Sequence, residues 1–145
     1  MFDTPKYAFK INPKPALRVN HKTIFTQSTK AKAARAYAAY KKELALRAKI
    51  IGYTLPENGI LIIKFTMPIP IRGGEVRIGL PHTQKPDIDN LVKAFMDSIA
   101  IGSDEFIHTI HACKVWGEFG GIEVFEGEKY SNPANDGLWE MDETQ

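Results

Sequence analysis

The stretch Lys85-Pro86-Asp87-Ile88-Asp89-Asn90-Leu91-Val92-Lys93 decides how the rest of the chain is read. Two carboxylates, Asp87 and Asp89, stand either side of one isoleucine, directly before an apolar-periodic run. Leu91, Val92, Phe95, Met96 and Ile99 recur at helical spacing, which predicts a helix from Asp87 or Asp89 to about Ala100, stopped by Gly102. One aspartate serves as a helix cap; two are more than a cap needs. Clustered carboxylates repel one another unless a cation or protons intervene. Magnesium takes hard oxygen ligands and keeps several waters, so two or three carboxylates and a phosphate suffice for a site. With Ile88 turned inward, Asp87 and Asp89 face one point. Capping and metal binding both remain open on this spacing alone. Lys93, four residues after Asp89, shares its helix face, either as a surface pair or as a cation aimed at a phosphate.

Downstream, Ser103-Asp104-Glu105 supplies a third acidic group at the start of the next strand. Phe106 to Trp116 has strand content, Gly117 to Gly121 turns, and Gly121 to Glu126 alternates, which predicts a hairpin. Lys114 has the strand parity of Asp104 but lies about 33 Å from it on a fully extended strand at ~3.3 Å per residue, the place of a remote phosphate contact or of a contact to a partner's site. Upstream, Ile60 to Met67 reads as a central strand covered on both faces. Residues 71–86 are irregular and rich in Gly, Pro and basic groups, including Arg72, Arg77 and Lys85. A loop this long is functional or mobile, and is expected to order only with its partner. His82 is expected in solvent there.

The N-terminal part adds a strand over 6–12 and a basic, proline-broken segment from Lys14 through Arg18 to Lys22. A helix over about 30–50 follows, capped by Ser28 or Thr29 and stopped at Gly52. Tyr37, Tyr40, Leu44 and Ala48 form its apolar stripe.

At 145 residues the chain is one domain with room for a real core. Net charge is only +2, but residues 1–50 hold twelve Lys/Arg against two Asp/Glu, and residues 117–145 hold one against eight. That polarity predicts a basic surface for a polyanion and a separate acidic tail. The division is 1–127 for the domain and 128–145 for a flexible acidic tail, with Trp139 as its docking residue. Cys113 is the sole cysteine, which excludes an internal disulfide and points to a reducing, cytoplasmic setting. No apolar run is long enough to span a membrane, and Met1 to Pro5 lacks the order of a signal peptide. The fold class is α+β, in the order β-α-β-α-β-β, a mixed sheet with helices packed against it.

The run from Lys85 to Lys93, then Asp97-Ser98-Ile99, Ser103-Asp104-Glu105-Phe106-Ile107 and Lys114, resembles the RusA family of Holliday junction resolvases. The proline-rich basic segment around Lys14 to Arg18 and the long helix match more loosely. The resemblance implies an endodeoxyribonuclease, often of prophage origin, that acts as a homodimer on four-way DNA junctions in recombination and repair. It implies that Asp87, Asp89 and Asp104 bind Mg2+ (or Mn2+) and that Lys93 is catalytic. Ser103 stands where the family often carries a further aspartate. Lys14, Arg18, Arg72, Arg77, Lys85 and Lys114 are the candidate DNA contacts. Two other functions fit parts of the chain: a non-catalytic branched-DNA-binding protein, and a metal-dependent sugar transferase built on the D-x-D triplet. The second needs a nucleotide-binding domain for which the length leaves little room.

Overall fold

A computed structural model describes residues 4–17, 27–70, 72–100 and 103–126. Arg18, Trp139 and the acidic tail over 128–145 lie outside the described residues. The elements are β1 (Tyr7–Phe9), α1 (Gln27–Ile51), β2 (Ile60–Pro68), α2 (Ile88–Ile99), β3 (Thr109–Gly117) and β4 (Gly121–Phe125), with one 3-10 turn over Glu75–Arg77. The β-α-β-α-β-β order and the mixed sheet match the expectation. Among the described residues no helix is long and apolar enough to cross a membrane.

The strands lie in the order β1-β4-β2-β3, and β2 runs parallel to β3 and antiparallel to β4. This corrects the expected hairpin. β3 and β4 are consecutive in sequence, but β2 lies between them. The three residues Glu118, Phe119 and Gly120 carry the chain across the end of β2, which stops at Pro68. The crossing needs close approach: a Cβ on Gly117 would collide with Thr66, and one on Gly120 with Asn12.

Both helices pack on one face of the sheet. There Leu61, Ile63, Phe65 and Met67 of β2 join Ile122 and Val124 of β4, Leu44 and Ala48 of α1, and Leu91 and Phe95 of α2. Tyr40 of the predicted stripe is buried with them, while Tyr37 is only half-buried. Among the described residues no helix packs on the other face of β2; Ile60 and Ile62 make a small separate cluster with Phe125. Beyond it Lys64 faces Glu123 at 3.6 Å. The apolar run of β2 thus reports its central place in the sheet, with Ile60 and Ile62 buried on this second face.

At the centre of the helix face, Phe9, Tyr53 and Phe95 make mutual ring contacts at 5.7 to 5.9 Å between centroids. Tyr53 follows Gly52, whose φ of +74° turns the chain out of α1 as expected of a helix stop. Phe95 is fully buried and joins α2 to β1 and to the end of α1. Its truncation removes buried area and leaves a void, so Phe95→Ala should lower the unfolding free energy by about 3–5 kcal/mol in urea or thermal melts.

Candidate nuclease site

Parallel pairing of β2 and β3 forces the connecting chain through residues 69–108, and α2 lies in that crossover. Ile110, Ala112, Lys114 and Trp116 of β3 align with Leu61, Ile63, Phe65 and Met67 of β2, so they share the helix face. A cavity of about 510 Å³ opens between α2 and β3. Asp89, Lys93 and Asp97 reach it from α2 and Asp104 from the turn before β3, over an apolar floor that includes Val92, Met96 and Ile110. Asp104 opens that turn by accepting the Ile107 N–H at 3.1 Å. Gly59 anchors the turn's far end, its carbonyl accepting the N–H groups of His108 and Thr109. A Cβ on Gly59 would lie 2.5 Å from the His108 ring.

Asp87 is the N-cap residue of α2, with extended backbone, but its carboxylate makes no capping hydrogen bond. Capping through this side chain is therefore not realised. It stands instead 3.5 Å from the exposed ammonium of Lys85, an ion pair of the weak, solvent-screened kind. Asp87 does not line the cavity that Asp89 and Asp104 share. Among the described residues no three His, Cys, Asp or Glu side chains already stand as a metal-holding group. Lys93 pairs with Asp97 at 3.2 Å, one helical turn further on, rather than backward with Asp89. Asp97 also accepts a 3.4 Å hydrogen bond from the Tyr37 hydroxyl of α1. That hydroxyl has its pKa raised by partial burial, with the Asp97 charge adding to the shift.

The lining of the cavity thus includes three carboxylates, Asp89, Asp97 and Asp104, and the Lys93 ammonium. Asp97 has the Lys93 ammonium as its counter-charge; the oxygen donors of Asp89 and Asp104 are of the hard type a magnesium-sized ion takes, without an assembled three-ligand group among the described residues.

Two links fasten the surroundings. Asn90 donates from its side-chain amide to the Ala16 carbonyl at 2.9 Å, while the Ala16 N–H donates to the Asn90 carbonyl at 3.1 Å. This reciprocal pair docks the basic N-terminal segment, with Lys14, beside the start of α2. Sequence reasoning missed it, although an asparagine inside a helix's first turn, where its propensity is poor, was a signal. The second link is Lys114. Its ammonium donates to the carbonyls of Gln84 at 2.5 Å and Pro86 at 2.6 Å, directly before Asp87. Lys114 thus ties the loop that precedes Asp87 to β3, a structural contact the sequence did not predict.

Residues 72–86 are likewise attached to β3 rather than loose. Gly79 and His82 donate to the carbonyls of Trp116 and Lys114 at 2.9 Å each, and Trp116 donates back to Leu80 at 3.0 Å. His82, expected in solvent, is 5% exposed. Its ring lies 4.3 Å from that of Trp116, and Arg77 lies over the same indole at 5.5 Å. Arg72 and Lys85 are exposed.

The family is now decided by comparison. A family model described as Endodeoxyribonuclease RusA matches residues 9–125. The chain belongs to the RusA endodeoxyribonuclease family. A search of curated proteins and a search of solved structures each return no match. The RusA match runs from β1 to the end of β4, so it takes in every element that shapes the cavity.

Burial and the nearby Lys114 charge lower the His82 pKa from 6.5. A base whose folded pKa is depressed stabilises the fold above its unfolded pKa and loses that contribution as pH falls. Unfolding free energy should therefore decline as pH drops from about 7 to about 5.5, and His82→Phe should flatten the decline in denaturant titrations. Lys114→Ala should leave two loop carbonyls without their cationic donor and lower stability by about 1–3 kcal/mol, read by the same titrations.

Proposed function

We propose that this RusA-family chain is a magnesium-dependent, structure-selective endodeoxyribonuclease that resolves four-way DNA junctions by paired phosphodiester hydrolysis. The observation that carries the proposal is the shared cavity between α2 and β3, which brings Asp89, Lys93 and Asp104 to one opening in the surface. Asp89, Asp104 and Asp87 would hold the divalent ion, Mg2+ or Mn2+, with Asp87 leaving its exposed pair with Lys85. When bound, such an ion polarises a phosphodiester and makes water a stronger nucleophile at neutral pH.

The chain's own groups do the rest. Lys93 is held by an exposed pair worth about 0.2–1 kcal/mol, so its ammonium is readily given up to a phosphate oxygen and to the charge that develops there. Asp97 keeps that ammonium on the cavity side of α2 until DNA arrives. Lys114 and the Asn90–Ala16 pair hold the backbone on either side of the two motif aspartates, so the carboxylates start from a fixed frame. Lys14, Arg72 and Lys85 supply phosphate contacts that give affinity without reading sequence. Arg18 is a further candidate contact, outside the described residues. Arg77 joins them only by leaving the Trp116 ring. Two-fold cutting needs two active sites, which a homodimer supplies. The nuclease domain is taken as residues 1–127; the acidic segment 128–145 lies outside the described residues.

A synthetic four-way junction in magnesium tests this. The wild-type chain should nick two strands symmetrically. Asp89→Asn should cut at least about 100-fold more slowly while still binding the junction, since metal-ion stabilisation of the transition state is worth several kcal/mol. Binding without any cutting by the wild type, or unchanged cutting by Asp89→Asn, would overturn the assignment.

A further inference from the structure

The turn that carries the chain over β2 also presents a phenyl ring. Phe119 is 76% exposed, and the backbone on both sides of it is clamped. Gly117 sits against Thr66, and Gly120 against the Asn12 side chain and backbone. The turn therefore passes close to both neighbours with the ring facing outward. A single exposed apolar residue is ordinary on a protein surface. Phe119, however, is part of the rim of a groove of about 920 Å³ lined also by Lys10, Asn12, Lys14 and Tyr40. Two ammonium groups and an aromatic face in one open groove are the components of a single-strand nucleic-acid site. Two carboxylates share the groove: Glu43 is already engaged by Arg47 at 2.9 Å, and Glu118 is exposed. Lys14 lies two residues before Ala16, whose bonds to Asn90 tie it to the start of α2. The segment that lines the groove is thus bonded to the first turn of α2, the helix that carries Asp89.

We propose that Phe119 stacks on an unpaired base at the branch point of DNA, while Lys10 and Lys14 hold the phosphates that flank it. The proposal rests on the junction-cleaving function above and adds the feature that distinguishes a branch from a plain duplex. Phosphate contacts are the same for both DNAs. A base free to leave its stack is offered by the branch and not by the intact duplex. Stacking on an aromatic ring tolerates any base, because every base has a π-face.

The test uses the full chain in EDTA, an immobile synthetic four-way junction carrying 2-aminopurine at the branch, and a linear duplex of matched sequence. Wild type should quench the 2-aminopurine fluorescence on binding. Phe119→Ala should lose the quenching and bind the junction about 10-fold more weakly, as expected for one lost base stack, with duplex affinity unchanged. Phe119→Trp should restore both. Lys10→Ala and Lys14→Ala should weaken both DNAs alike and reduce the salt dependence. If Phe119→Ala keeps wild-type quenching and affinity, or weakens junction and duplex equally, the stacking role is overturned while the nuclease reading stands. If the wild type binds no junction, the nuclease reading fails first and takes this one with it.

Discussion

Parallel pairing of β2 with β3 is the constraint from which the rest follows. Nine residue pairs in register, from Ile60 with Thr109 to Pro68 with Gly117, fix the two strands side by side. Parallel neighbours cannot be joined by a tight turn. The chain must leave the sheet after Pro68 and return before Thr109, and it carries α2 across the helix face on the way. That return path sets the carboxylates of α2 opposite the turn that bears Asp104. Without the crossover, Asp89 and Asp104 would belong to unrelated surfaces.

Local chemistry then settles how the motif sits on this frame. Lys114 projects from β3 toward the helix side and takes the carbonyls of Gln84 and Pro86. Asn90 does the same work for the N-terminal segment. A charged donor satisfying two carbonyls is a stronger fastening than a neutral hydrogen bond. Asp87 and Asp97, in contrast, are joined to Lys85 and Lys93 by exposed pairs that cost little to open. Firm backbone and loosely held charge is the arrangement expected of a site that has to accept an ion and a phosphate.

Much of this was legible in the sequence because it is local. The helix after Asp87 is set by apolar periodicity, the central place of β2 by a near-continuous apolar run, and the stop of α1 by Gly52. What was not legible is long-range. The glycines around Phe119 read as a hairpin turn, and nothing nearby in sequence says that β2 runs between the two strands. His82 looked solvent-exposed because the ring that buries it, Trp116, lies far along the chain. Lys114 looked remote because its loop partners are thirty and twenty-eight residues upstream. The motif aspartates were found by their spacing, but Asp97 was not. Its role depends on Lys93 pairing forward along α2 and on Tyr37 reaching over from α1.

The central claim is that the carboxylates around the cavity between α2 and β3 take up one divalent cation. A crystal grown with Mn2+ tests it through the anomalous signal of the metal. A peak is expected at that cavity, with Asp87, Asp89 and Asp104 drawn onto it and the Lys85–Asp87 pair broken. Crystals with no peak there, or with the ion held by other residues while these three keep apart, would contradict it.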